Sequence, residues 1–215
     1  MKNSGRPLAE RSGNPRDPAS SLQVGLMAAW LAFVAAALVL TLGLGSQSRL
    51  VATPFAVPNA YRLLAGTELF LLLIACPLAL RKGGERLGLW WALALLAFAG
   101  PAVVAAAWMS DRDLLAVAAS QCYLVAAAFF VGSLPRVPGA PYWAVVSGLG
   151  AGAPLVAFVA EDNLGANLHW LKPLSPFWAL DRLATGPAPW WQWAFTGGAF
   201  VLLGLLVRLL RRRRA

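Results

Sequence analysis

Apolar residues run along this chain in long blocks, and polar residues collect between them. Six blocks, 23–43, 62–80, 88–109, 114–134, 141–160 and 189–210, are long enough to cross a bilayer as helices, which takes roughly 20 mostly apolar residues. Turn and charge signals separate them: Arg81-Lys82-Gly83-Gly84-Glu85-Arg86, Ser110-Asp111-Arg112-Asp113 and Pro135-Arg136-Val137-Pro138-Gly139-Ala140. Residues 1–22, rich in Pro, Gly, Ser and Arg and without a helical apolar period, read as a solvated tail. The block after it is too long for a signal-peptide core, so it reads as a retained span. The pattern predicts an all-α, polytopic integral membrane protein: a tail over 1–22, a six-helix domain over 23–210 and a basic end over 211–215.

Composition agrees. Of 215 residues, 59% are hydrophobic and only 13% charged, against about 25% charged in soluble domains. That excludes soluble nucleotide-binding, disulfide-rich and disordered classes. A net charge of +9 would suit nucleic acid, but its placement suits a lipid bilayer. Lys2, Arg6, Arg11, Arg16, Arg81, Lys82, Arg86, Arg136, Arg208 and Arg211 to Arg214 fall on one side of a six-span arrangement. Only Arg49, Arg62, Arg112, Lys172 and Arg182 fall on the other. The positive-inside rule then places both termini in the cytoplasm, and no nucleic-acid partner is indicated. Trp90, Trp91, Trp108, Trp143, Trp190, Trp191 and Trp193 lie near predicted span ends, where amphipathic rings favour the headgroup layer; Trp30 lies mid-span.

Candidate chemistry is sparse. Glu68 is the clear intramembrane acid, and an acid at that depth is costly enough to call for a partner or a function. Gln121 and Tyr123 of the fourth block, or Arg62 near the same interface, are candidate partners; the other reading is a hydrogen-bonded structural Glu. Ser120-Gln121-Cys122-Tyr123 either lines a polar path or joins helices by hydrogen bonds. Gly148 and Gly152 form a GxxxG that allows close helix packing, and Pro77, Pro101 and Pro154 interrupt three spans as kinks, hinges or tolerated breaks. His169 is the single histidine, Cys76 and Cys122 form no CxxC, and no HExxH occurs. Neither a metal site nor an enzyme is indicated. The Glu161–Ala188 connection is too apolar for a plain solvated loop and too short and broken to span. It reads as a re-entrant or interfacial segment, or as a loop packed over helix ends.

Within it, Pro173-Leu174-Ser175-Pro176-Phe177-Trp178 precedes Pro189-Trp190-Trp191-Gln192-Trp193 and a last apolar span ending in arginines. This arrangement resembles the end of ABC-2 type transporter permeases, in which an extracytoplasmic Leu-Ser-Pro segment precedes the sixth span. The stretch from Tyr61 to Leu95, an apolar span followed by a basic turn containing Glu85-Arg86, resembles them more loosely. The resemblance implies an exporter's membrane-spanning permease subunit, paired with itself or a related permease and coupled to a separate cytoplasmic ATP-binding subunit. It implies ATPase contact through Arg81, Lys82, Glu85, Arg86 and Arg136, and a substrate path or gate near Glu68, Gln121, Tyr123, Ser175, Pro176, Phe177 and Trp178. No GxxxxGK[ST] occurs, so ATP would be handled by the partner, and no cofactor is implied. The alternative is a non-transporting membrane scaffold or assembly subunit. A lesser one is a haem-handling protein, whose tryptophan-rich outer segments Trp178-Ala179-Leu180-Asp181-Arg182 and Trp190 to Trp193 resemble.

Overall fold

A computed structural model describes residues 18–47, 59–78, 89–134, 139–164, 168–186 and 190–213, and these are helical, with no strand among the described residues. Helix α1 (Pro18–Gln47) starts five residues before the expected span and takes in the end of the expected tail. Pro18 stands in its first turn, where a missing N–H and a fixed φ are tolerated. Helices α2 (Ala60–Leu78), α3 (Leu89–Met109), α4 (Leu114–Ser133) and α5 (Ala140–Asp162) are long and apolar enough to cross a membrane. A 3-10 turn, His169–Leu174, and α6 (Pro176–Thr185) lead to α7 (Trp190–Arg212). Among the described residues, four of the six expected spans meet the length and apolarity of a crossing helix, and the described parts of α1 and α7 include the apolar stretches Val24–Ala37 and Gly197–Leu210.

The spacing of α3 illustrates the fit to a bilayer. Trp90 and Trp108 are 81% and 85% exposed and stand 18 residues apart, which is five turns and places both rings on one stripe. At 1.5 Å per residue they are about 27 Å apart, close to the roughly 30 Å of a hydrocarbon core.

Helix α4 occupies the middle of the bundle, against α3, α7 and α6, while α2 packs against α1, α3 and α6. Glycine permits the closest approach. A Cβ on Gly132 of α4 would lie 2.8 Å from the Leu89 Cα of α3, and one on Gly204 of α7 would lie 2.7 Å from the Phe129 ring. The core joins Trp30 and Val34 of α1 to Tyr61, Leu64, Leu69 and Leu72 of α2 and to Leu95 and Leu124. Helix α5 is peripheral: Leu155, Val156 and Phe158 are 61%, 52% and 58% exposed. The α3–α4 turn, where Asp111 has a positive φ of 50°, shares one end of the bundle with the start of α2 and with α6. The 3-10 turn and α6 pack on each other there as a hairpin, which makes this the hairpin end of the bundle.

Candidate functional site

Tyr61 and Glu68 are two turns apart on α2 and so share the face that meets α4. Glu68 is fully buried, about 12 Å from the start of α2 at 1.5 Å per residue. The Gln121 amide of α4 donates to Glu68 Oε2 at 3.3 Å and to the Tyr61 hydroxyl at 3.4 Å. That hydroxyl lies 2.6 Å from Ser120 Oγ, and the Tyr61 backbone N–H donates to Ser110 Oγ at 3.1 Å. A hydrogen-bonded line thus runs from the α3–α4 turn to Glu68. Glu68 Oε1 is enclosed and has no hydrogen-bond partner among the described residues. Of the expected partners, Gln121 meets Glu68. Arg62 instead makes a two-pronged ion pair with Asp181 of α6, at 2.7 and 2.8 Å. Tyr123 also turns to the hairpin, donating to the Pro176 carbonyl at 3.3 Å.

The hairpin is built by its own sequence. Ser175 caps α6 by accepting the Trp178 N–H at 3.4 Å, and Pro176 follows at the first helical position, where its ring is pre-set for a helix. Ala179, Leu180, Leu183 and Ala184 repeat at helical spacing and are buried against α2 and α4. Arg182 turns outward over the Trp178 ring, 5.1 Å from its centre. Arg112 donates to the Thr185 carbonyl at 3.1 Å, and Lys172 pairs with Glu161 at 2.6 Å. Ser175, fully buried, donates to the Gly150 carbonyl of α5 at 2.9 Å. A Cβ on Gly150 would lie 3.3 Å from the Phe177 ring. The Ser175–Pro176 corner therefore sits beside residues about 13 Å along α4 and about 18 Å along α5 from the hairpin end.

Two proline breaks share one solution. In an α-helix the N–H of residue i+4 returns to carbonyl i, and for Leu73 and Gly150 that residue is a proline, Pro77 and Pro154. Each helix forms a π turn just before its proline, Leu71–Ala75 in α2 and Gly148–Gly152 in α5. Each deprived carbonyl then takes a hydroxyl from elsewhere: Tyr142 donates to Leu73 and Ser175 to Gly150. Such repair is what a bilayer demands, because no water is at hand for an orphaned carbonyl. Pro101 differs, since α3 continues through it as an α-helix.

Other expected positions separate. Nothing lies within 4 Å of a Cβ on Gly148, and a Cβ on Gly152 would meet only Ser147 of its own helix; the close approach in this segment falls on Gly150 instead. Arg81, Lys82, Glu85, Arg86 and Arg136 lie outside the described residues. Among the described residues no three His, Cys, Asp or Glu side chains gather as a metal site. The sequence reading missed the Arg62–Asp181 pair and the Tyr142–Leu73 and Ser175–Gly150 bonds. For the two hydroxyl bonds a proline inside an apolar span was the available signal, because it leaves the carbonyl four residues earlier without its helical N–H. Comparison with family models, with curated proteins and with solved structures gives no match.

Proposed function

We propose that the chain is the membrane-spanning permease subunit of an ABC-type exporter in a bacterial inner membrane. It has six spans with both termini in the cytoplasm, and works with a second copy or a related permease on a separate ATP-binding subunit. The observation that carries this reading is the seat of Ser175 and Pro176 deep between α4 and α5. A depth of about 13–18 Å is near half of a hydrocarbon core, so the hairpin before the last helix acts as a re-entrant segment on the outer face. The charged partners Arg62, Asp181, Arg112, Lys172 and Glu161 cluster towards the hairpin end, where headgroups and water would meet them. Two groups, Glu68 with Gln121 and Tyr123 with Ser175 to Trp178, are assigned the cargo path or exit gate. The turn carrying Arg81, Lys82, Glu85 and Arg86, with Arg136, is assigned the contact with the ATPase.

Affinity purification of the tagged chain in mild detergent, followed by mass spectrometry, tests this. A stoichiometric ATP-binding subunit is expected, and reversing the charges of Arg81, Lys82 and Arg86 is expected to release it without loss of membrane insertion. A well-folded preparation that reproducibly lacks such a subunit would replace the exporter reading with that of a membrane scaffold.

A further inference from the structure

We infer that Glu68 is a proton-binding site inside the helical bundle: with α2 and α4 packed on it, its side chain is the neutral carboxylic acid, and the ligand held there is a proton. A scaffold subunit would need that proton as much as a permease, so the site does not depend on the transport reading.

A carboxylate keeps its charge away from water only where a cation or several donors answer it; otherwise the group neutralises. Helix α2 is packed by α1, α3, α4 and α6. Over Pro18–Gln47, Leu89–Met109 and Leu114–Ser133 the first three of these carry no Lys, Arg or His at all. Helix α6 brings Asp181 and Arg182, of which Asp181 is paired with Arg62 of α2 and Arg182 lies over the Trp178 ring. The titratable groups of α4 are engaged or turned elsewhere: Tyr123 donates to the Pro176 carbonyl, and Cys122 is exposed. Tyr142 of α5 donates to the Leu73 carbonyl, and Cys76 of α2 lies about two turns beyond Glu68. Further off, Arg112, Lys172 and Arg208 bond to Thr185, Glu161 and Ser133. Among the described residues, the polar groups left beside the carboxyl are Gln121 and, sharing its amide, Tyr61.

The geometry also selects a proton over a metal ion. Glu68 is fully buried, and its Oε1 has no hydrogen-bond partner among the described residues. What reaches Oε2 is an N–H, from Gln121 at 3.3 Å. A hard metal cation needs a shell of oxygen ligands, whereas here the neighbouring amide presents its nitrogen. A proton cancels the charge in place and needs no such shell.

Infrared difference spectroscopy of the full chain in lipid at neutral pH tests this. An undissociated carboxylic acid absorbs above the amide carbonyl band, and a carboxylate gives a pair of bands below it. Glu68→Gln is expected to lose one acid band and no carboxylate pair. Loss of a carboxylate pair instead overturns the proton site, and a pair that moves when potassium replaces sodium assigns the carboxyl to a metal cation. If Glu68→Gln does not fold, carbon-13 in the glutamate side-chain carboxyls gives the same reading. In a chain carrying Glu10→Gln, Glu85→Gln and Glu161→Gln, Glu68 is the remaining glutamate. An acid band that shifts with the label supports the proton site, and an acid band that stays in place, or none, overturns it.

Discussion

At Glu68 two carboxyl oxygens are enclosed, and among the described residues only Oε2 has a hydrogen bond, from Gln121 at 3.3 Å. A buried polar atom that loses its partner costs about 1–3 kcal/mol. Gln121→Leu removes the donor shared by Glu68 and Tyr61, so it is expected to lower stability by about that amount. Glu68→Gln keeps an acceptor and adds a donor, and is expected to stay within about 1 kcal/mol of the parent, because an amide is cheaper to bury than a carboxylate. Thermal unfolding in detergent, followed by size-exclusion chromatography, measures both. Equal damage in the two variants would show that the carboxyl itself is required. Glu68 was legible in the sequence as an acid inside an apolar block, but its partner was not. Gln121, Tyr123 and Arg62 all fell at suitable depth, and α4 is apolar nearly all round, so the pattern leaves its rotation open. The structure chose Gln121 because Arg62 and Tyr123 face α6, an element whose position the periodicity of α2 and α4 does not encode.

Helix α6 shows how much of an element can be read locally and how little of its docking can. Ser175 as cap, Pro176 as first residue and the buried spacing of Ala179, Leu180, Leu183 and Ala184 are local signals. The segment's mixed apolar character marked it as neither loop nor span. Its seat depends on Arg62 and Asp181, 119 residues apart, and on the Gly150 carbonyl that Pro154 leaves without a helical partner in α5. Apolar burial and the ion pair contribute unequally. Leu180→Ala is expected to destabilise the hairpin by about 2–5 kcal/mol, the range for emptying a buried leucine site. Asp181→Asn acts on a pair whose side chains are 37% and 39% exposed and is expected to cost at most about 1 kcal/mol. Limited proteolysis of the intact protein reads the difference: Leu180→Ala should open the hairpin to cleavage well before Asp181→Asn does. The reverse order would give the ion pair the main part in seating α6.

Over the whole molecule, the long apolar blocks announce a helical membrane protein, and the exposed Trp90 and Trp108 of α3 have the spacing of a bilayer's two interfaces. The arrangement of those helices was not written in the blocks. It follows from contacts that close long stretches of chain, such as Glu68 with Gln121, 53 residues later, and Arg208 with Ser133, 75 residues earlier. The first of these has a consequence for biogenesis. An acid near the middle of a lone helix raises the free energy of insertion by about 2.5–3.5 kcal/mol, and the side chain that answers Glu68 belongs to α4. A nascent chain ended at residue 110 is expected to hold α2 in the bilayer less completely than one ended at residue 139, and Glu68→Leu is expected to erase the difference. Protease protection of membrane-integrated translation products measures both, and equal protection of the two lengths would refute it. A difference between the two lengths would mean that the enclosed carboxyl sets an order of assembly, with α2 entering lipid fully only once α4 has emerged to join it.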